Sequence, residues 1–201
     1  MMLMSQQHKF LAPSWDAIYE MLVDIALRIK DSGFKPHYIV GVSRGGWTPG
    51  RVLSDLLENS RTANIKIEFY VGIGKTGREP IVTQPLTEDI SKKQVLVVDD
   101  VSDTGESLKV AFDHMVQKGA AVVKTATIYY KPHSIFKPDF FAGSTSDWII
   151  FPWERLEATR LLMQDARSQG TNLEFVRKTL MQCNVPDGII DALFKLVNSG
   201  T

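Results

Sequence analysis

VVDDVSDTGES, residues 97–107, joins the end of a hydrophobic run to a polar turn and the start of an amphipathic segment. Val95, Leu96, Val97 and Val98 form a short run, mostly β-branched, of the kind buried in a parallel sheet. Leu108, Val110, Ala111 and Met115 then follow helical periodicity. Asp99 and Asp100 are thereby expected at the C-terminal edge of a strand, where open α/β sheets bind ligands. From Thr104 onward, the first helical turn leaves backbone N–H groups without intrahelical acceptors. Those donors, with the helix dipole, favour a phosphate dianion over the cradle Thr104, Gly105, Glu106 and Ser107. Gly105 permits close backbone approach. A carboxylate facing the phosphate would repel it, so the Glu106 side chain is expected to point to solvent.

Working outward, Pro13 and Ser14 precede a helix whose apolar positions Ile18, Met21, Leu22, Ile25, Ala26 and Ile29 share one face, with Gly33 at its end. HYIVGV at 37–42 reads as a strand, and the loop SRGG leads into a second helix with Val52, Leu53, Leu56 and Leu57 turned inward. IKIEFYV at 65–71 alternates like a strand with one buried face. Residues 72–93 lack periodicity and read as a long mobile loop. AVVKTATIYY at 121–130 is a further strand. This alternation predicts an α/β fold, a mostly parallel sheet flanked by helices on both faces. After FPWE at 151–154 the pattern changes, and 154–169, 172–182 and 187–198 read as three helices separated by Gly170 and Asn184-Val185-Pro186. The expected organisation is one domain over 1–153 and an all-helical C-terminal appendage over 154–201.

Composition narrows the function. The 201 residues are 44% hydrophobic, enough for a sizeable core. Lys plus Arg and Asp plus Glu are equal at 23 each, so no global positive field exists to hold a nucleic-acid backbone. No stretch approaches the roughly 20 apolar residues of a membrane span, and MMLMSQQHKF lacks the order of a secretory signal. The single cysteine, Cys183, fits a reducing compartment. A cytoplasmic protein without nucleic-acid or membrane partners is expected.

A second loop, GVSRGG at 41–46, also lies between a strand and a helix, so its backbone donors and Arg44 suit another phosphate group. A hydrophobic strand, an acid pair, two further residues and Asp-Thr-Gly, in that order, resemble the signature of type I phosphoribosyltransferases. The run SRGGWTPG resembles the pyrophosphate loop of the purine enzymes in that family, where the peptide before the basic residue is often cis, here Ser43 to Arg44. TATIYYKPHSIFKPDFF and DWIIFPWE extend the likeness to the base-binding region of bacterial xanthine-guanine phosphoribosyltransferases.

This resemblance implies the following roles. Asp99 and Asp100 bind the ribose hydroxyls of phosphoribosyl pyrophosphate (PRPP), and Thr104 to Ser107 hold its 5′-phosphate. Ser43, Arg44, Gly45 and Gly46 take the pyrophosphate. Asp103 lies near purine N7 as general base or electrostatic stabiliser. Lys131 donates to the purine 6-oxo group, Trp148 stacks on the base, and Ile149 lies beside it. Residues 72–88 form the lid. Mg²⁺ is the implied cofactor, held mainly by PRPP, near Asp99 and Asp100, without a dedicated protein cage. The implied assembly is a homodimer or higher homo-oligomer.

The expected activity is formation of a nucleoside 5′-monophosphate and pyrophosphate from PRPP and a free purine, with 6-oxopurines favoured. Adenine is the alternative base, and a non-catalytic PRPP sensor the alternative from another class. Two signals are discounted. Gly74, Lys75 and Thr76 lack the first glycine of a phosphate loop, since Phe69 stands in its place. His8, His37, His114 and His133 have neither the spacing nor the cysteine company of a zinc site. One departure from the family pattern is Phe69-Tyr70, where many 6-oxopurine enzymes carry Ser-Tyr.

Overall fold

The Ser14 hydroxyl accepts the Ala17 N–H at 3.1 Å and so caps α1 (Trp15–Asp31), satisfying one of the donors that a helix start leaves free. The computed structural model describes residues 9–71 and 78–199. Its chain divides into two compact units. Residues 19–146 form one, and the described residues up to Ile18 with those from Asp147 onward form the other.

In the larger unit, six strands are ordered β4-β3-β2-β5-β6-β7: β2 (Tyr38–Ser43), β3 (Thr62–Val71), β4 (Arg78–Gln84), β5 (Gln94–Ser102), β6 (Val122–Tyr130) and β7 (Phe140–Ser144). Every neighbouring pair is parallel except β3 with β4. Parallel pairing requires crossovers, here α2 (Trp47–Leu56) between β2 and β3 and α3 (Glu106–Gln117) between β5 and β6. Because side chains alternate along a strand, the two helices cover opposite faces. Val40 and Val42 of β2 and Val95 and Val97 of β5 join Leu108, Ala111 and Met115 of α3 in one buried cluster. On the other face, Gly50 of α2 lies against Gly41 and Val98, which are register partners.

The expected mostly parallel sheet flanked by helices is therefore present. The strand of the acid pair is longer than its hydrophobic run, since β5 continues through Asp99 and Asp100 to Ser102. The stretch 72–93, expected to be a loop, contains β4, which pairs antiparallel with β3. Its residues are largely exposed, so no buried face imprints an alternation on REPIVTQ. Residues 72–77, with Gly74, Lys75, Thr76 and part of the expected lid, lie outside the described residues.

The smaller unit contains β1 (Phe10–Leu11), paired in parallel with β8 (Trp148–Ile149), and the helices α4 (Arg155–Ser168), α5 (Leu173–Gln182) and α6 (Asp187–Ser199). The three helices match the three expected from sequence to within a residue or so at each end. Asn172 caps α5 by accepting the Glu174 N–H at 3.1 Å. Leu162, Met163, Val176, Leu180, Ile190 and Val197 form its core together with Ile150. Arg177 ties α5 to Asp187 and Asp191 of α6. The compact units divide at 146/147, since β8 pairs with β1 and Ile150 belongs to the helical core. Among the described residues no helix is long and apolar enough to cross a membrane.

Candidate active site

Strands β2 and β5 are adjacent and parallel, so the loops that leave their C-terminal ends emerge at the same sheet edge. From β2 comes Ser43-Arg44-Gly45-Gly46, in which the Ser43–Arg44 peptide is cis. From β5 come Asp99 and Asp100, followed by Asp103 to Ser107. The two loops meet closely: a Cβ at Gly45 would lie 2.4 Å from Asp100 Oδ2, so only glycine fits against that carboxylate. Asp100 is buried. Its Oδ1 accepts the Val101 N–H at 2.8 Å, while Asp99 Oδ1 accepts the Asp100 N–H at 3.0 Å. Backbone donors thus fix the orientation of both carboxylates. Ser43 Oγ is buried with no hydrogen-bond partner among the described residues.

Gly105 is the residue before α3, and the first N–H of the helix, that of Glu106, reaches Thr104 Oγ1 at 3.4 Å. Gly105 has φ 84°, and a Cβ on it would lie 2.4 Å from Ser134 Oγ. Both facts exclude a larger residue. A cavity of about 240 Å³ opens beside this turn, bordered by Asp99, Asp103, Thr104, Gly105, Ser107 and Phe69. Phe69, at the family departure, thus reaches the same cavity as Asp99 and Asp103. Glu106 is half-buried, and its Oε2 accepts from Thr104 Oγ1 at 3.4 Å in a solvent-exposed contact. The neighbouring hydroxyl gives the carboxylate a local donor that solvent would otherwise supply.

A third loop closes the edge. After β6, the Lys131 N–H donates to the Ser102 carbonyl at 3.0 Å and the Ile135 N–H to the Thr104 carbonyl at 2.9 Å. Lys131 is buried. Two residues on, His133 Nε2 stands 3.4 Å from Asp103 Oδ1, with both side chains exposed. The sequence reading missed His133 as a site residue, weighing it only as a metal ligand. Its place two residues after Lys131 was the available signal.

Ser43, Arg44, Gly45, Gly46, Asp99, Asp100, Asp103, Thr104, Gly105, Glu106, Ser107 and Lys131 all belong to the larger unit. Trp148 and Ile149 belong to the smaller one, where Trp148 is half-buried and packs on the core of the C-terminal helices. Among the described residues, no group of three or more His, Cys, Asp or Glu side chains is assembled around a metal position.

Residues 14–155, a span that includes all of these loops, match the model of the phosphoribosyl transferase domain. The chain belongs to the phosphoribosyltransferase family. It is similar to the xanthine-guanine phosphoribosyltransferase of Ruegeria sp. strain TM1040, at 30% identity over 151 residues, 70% of this chain and 83% of that one. The corresponding enzyme of Idiomarina loihiensis is 29% identical over 149 residues, 70% of this chain and 84% of its own. Among solved structures, the purine phosphoribosyltransferase from Pyrococcus horikoshii aligns over 72% of this chain and 93% of its own, with TM-score 0.67 and 35% identity. The Helicobacter pylori xanthine-guanine-hypoxanthine phosphoribosyltransferase shares the fold, at TM-score 0.65 and 23% identity over 75% of this chain and 97% of that one. The architecture is that of a type I phosphoribosyltransferase. The family match ends at residue 155, the first of α4, so the phosphoribosyltransferase domain model does not extend over the C-terminal helices.

Proposed function

We propose that this chain transfers the phosphoribosyl group of PRPP to a 6-oxopurine, giving a nucleoside 5′-monophosphate and pyrophosphate. The observation that carries the reading is the convergence, at one sheet edge, of the Arg44 loop, the backbone-oriented acid pair and the N-terminus of α3. In this reading Thr104 to Ser107 hold the 5′-phosphate through the backbone donors of the first helical turn and the side-chain hydroxyls beside them. Asp99 and Asp100 accept from the ribose hydroxyls. The Ser43 to Gly46 loop, with the Arg44 guanidinium, holds the pyrophosphate.

The base N9 forms a bond to C1′ as the C1′–O bond breaks, its electron pair leaving on pyrophosphate, and the N7 proton passes to the Asp103 carboxylate. The state in between has oxocarbenium character, so alignment of the reactants and exclusion of water dominate its stabilisation. Lys131 donates to the 6-oxo group, a contact that an adenine amino group does not reciprocate. By resemblance, Trp148 stacks on the base and Ile149 lies beside it. The oxygen donors of Asp99 and Asp100 fit a hard divalent ion completed by substrate oxygens. Mg²⁺, when bound, supplies charge neutralisation on the leaving pyrophosphate. A cytoplasmic location and a homo-oligomeric state are further parts of this proposal, open to fractionation and sedimentation.

The test is turnover of PRPP with hypoxanthine, guanine, xanthine and adenine, with and without Mg²⁺. Mg²⁺-dependent release of pyrophosphate with at least one 6-oxopurine is the expected result. Turnover with adenine alone would overturn the base assignment, and turnover with no purine would overturn the function.

A further inference from the structure

Two loops at the active edge are joined by a continuous hydrogen-bonded seam. The Lys131 N–H reaches the Ser102 carbonyl, the Ile135 N–H reaches the Thr104 carbonyl at 2.9 Å, and the buried Ser102 Oγ donates to the Phe136 carbonyl at 2.8 Å. Ser102 Oγ also lies 2.9 Å from Ser134 Oγ. Residues 102 and 104 on one side and 131, 134, 135 and 136 on the other are thus held in fixed register. Asp103 and His133 each lie within the bonded stretch of their own loop. Their side chains face each other because the main chains on either side are tied, and the 3.4 Å separation follows from the seam rather than from the attraction of an exposed pair, which is weak on its own.

We propose that His133 is a positioning residue for Asp103: its Nε2–H donates to Oδ1 and so presents Oδ2 to the purine N7 proton. This rests on the proposed phosphoribosyl transfer to a purine. A carboxylate on a free rotor must be fixed before it can accept a proton along a defined line, and an imidazole N–H on the second oxygen fixes it. The other charged groups at the seam are few. Glu106, on the first turn of α3, is bound to Thr104, Lys131 is buried at the start of the His133 loop, and Lys137 lies over the Phe141 ring.

Kinetics of two variants separate this role from a structural one. His133→Ala is expected to lower kcat roughly 5- to 50-fold with the PRPP KM within about twofold. His133→Gln, which keeps an N–H donor at similar reach, is expected to recover most of kcat. A readout independent of turnover is the His133 imidazole resonance at fixed pH. Its chemical shift should move in Asp103→Asn, and an unmoved resonance would break the pairing. An Ala variant with wild-type kcat, or with a loss confined to the PRPP KM, would overturn the inference. Wild-type protein inactive with all four purines would overturn the functional reading, whereas active wild type with an indifferent Ala variant overturns this inference alone.

Discussion

The hydroxyls of Ser102 and Ser134, 32 residues apart in sequence, lie 2.9 Å from each other at the centre of the active edge. Ser102 is 1% exposed and also donates to the Phe136 carbonyl. Removing that donor leaves the Phe136 carbonyl only the longer bond from Ser134 Oγ at 3.2 Å, a loss of about 0.5–1.5 kcal/mol. Ser102→Ala is therefore expected to lower the midpoint of thermal unfolding measured by calorimetry and to reduce kcat by loosening the loop that carries His133. An unchanged midpoint would show that the seam contributes nothing to stability.

Gly105→Ala combines an unfavourable φ of 84° with a Cβ only 2.4 Å from Ser134 Oγ and 2.6 Å from the Phe136 nitrogen. The backbone strain alone is of order 1–3 kcal/mol. Titration calorimetry with PRPP should show at least tenfold weaker binding, roughly the factor that 1.4 kcal/mol represents, because the cradle donors can no longer converge.

Arg44 and Asp103 should separate kinetically. The Arg44 guanidinium is proposed to meet pyrophosphate in the ground state as well as in the transition state, so Arg44→Ala should raise the PRPP KM by roughly 10- to 100-fold. Asp103→Asn should lower kcat by roughly 10- to 1000-fold while PRPP affinity stays within a few-fold. Steady-state kinetics with PRPP varied at saturating base distinguishes the two.

His114 makes stability depend on pH. Its Nε2 accepts the Leu86 N–H at 3.3 Å, and burial, assisted by Lys118, holds the imidazole below its ordinary value of 6.5. Because the folded value is the lower one, the neutral imidazole contributes stability above the unfolded value, and that contribution is lost as pH falls through the folded value. Urea midpoints measured from pH 8 down to pH 5 should decline through this group. His114→Gln should flatten part of the decline, and a parallel decline in the variant would assign it elsewhere.

Leu180 has no exposed surface and lies in the core that α4, α5 and α6 share with Ile150. Leu180→Ala should cost about 2–5 kcal/mol of the stability of that unit. Scanning calorimetry should show a transition moved to lower temperature, and proteolysis should concentrate after residue 154. A wild-type thermogram would show that the helices do not depend on this packing.

Much of this protein was legible in its sequence because the signals are local. A four-residue hydrophobic run, two acids and a glycine at the start of an amphipathic stretch specify a strand end and a helix start by periodicity and unpaired backbone donors alone. The helices α4 to α6 were equally readable, since each carries its own apolar stripe and the breaks at Gly170 and Asn184 stand between them. Tertiary structure decided what depends on partners distant in sequence. Strand β4 is an exposed edge whose pairing with β3, not any buried face, makes it a strand. Trp148 joins the helical core because β8 pairs with β1, 138 positions earlier at Phe10↔Trp148. Asp103 meets His133 only because hydrogen bonds between two loops set their register. Periodicity records which side of an element is buried, but it carries no information about which distant loop lies against that element.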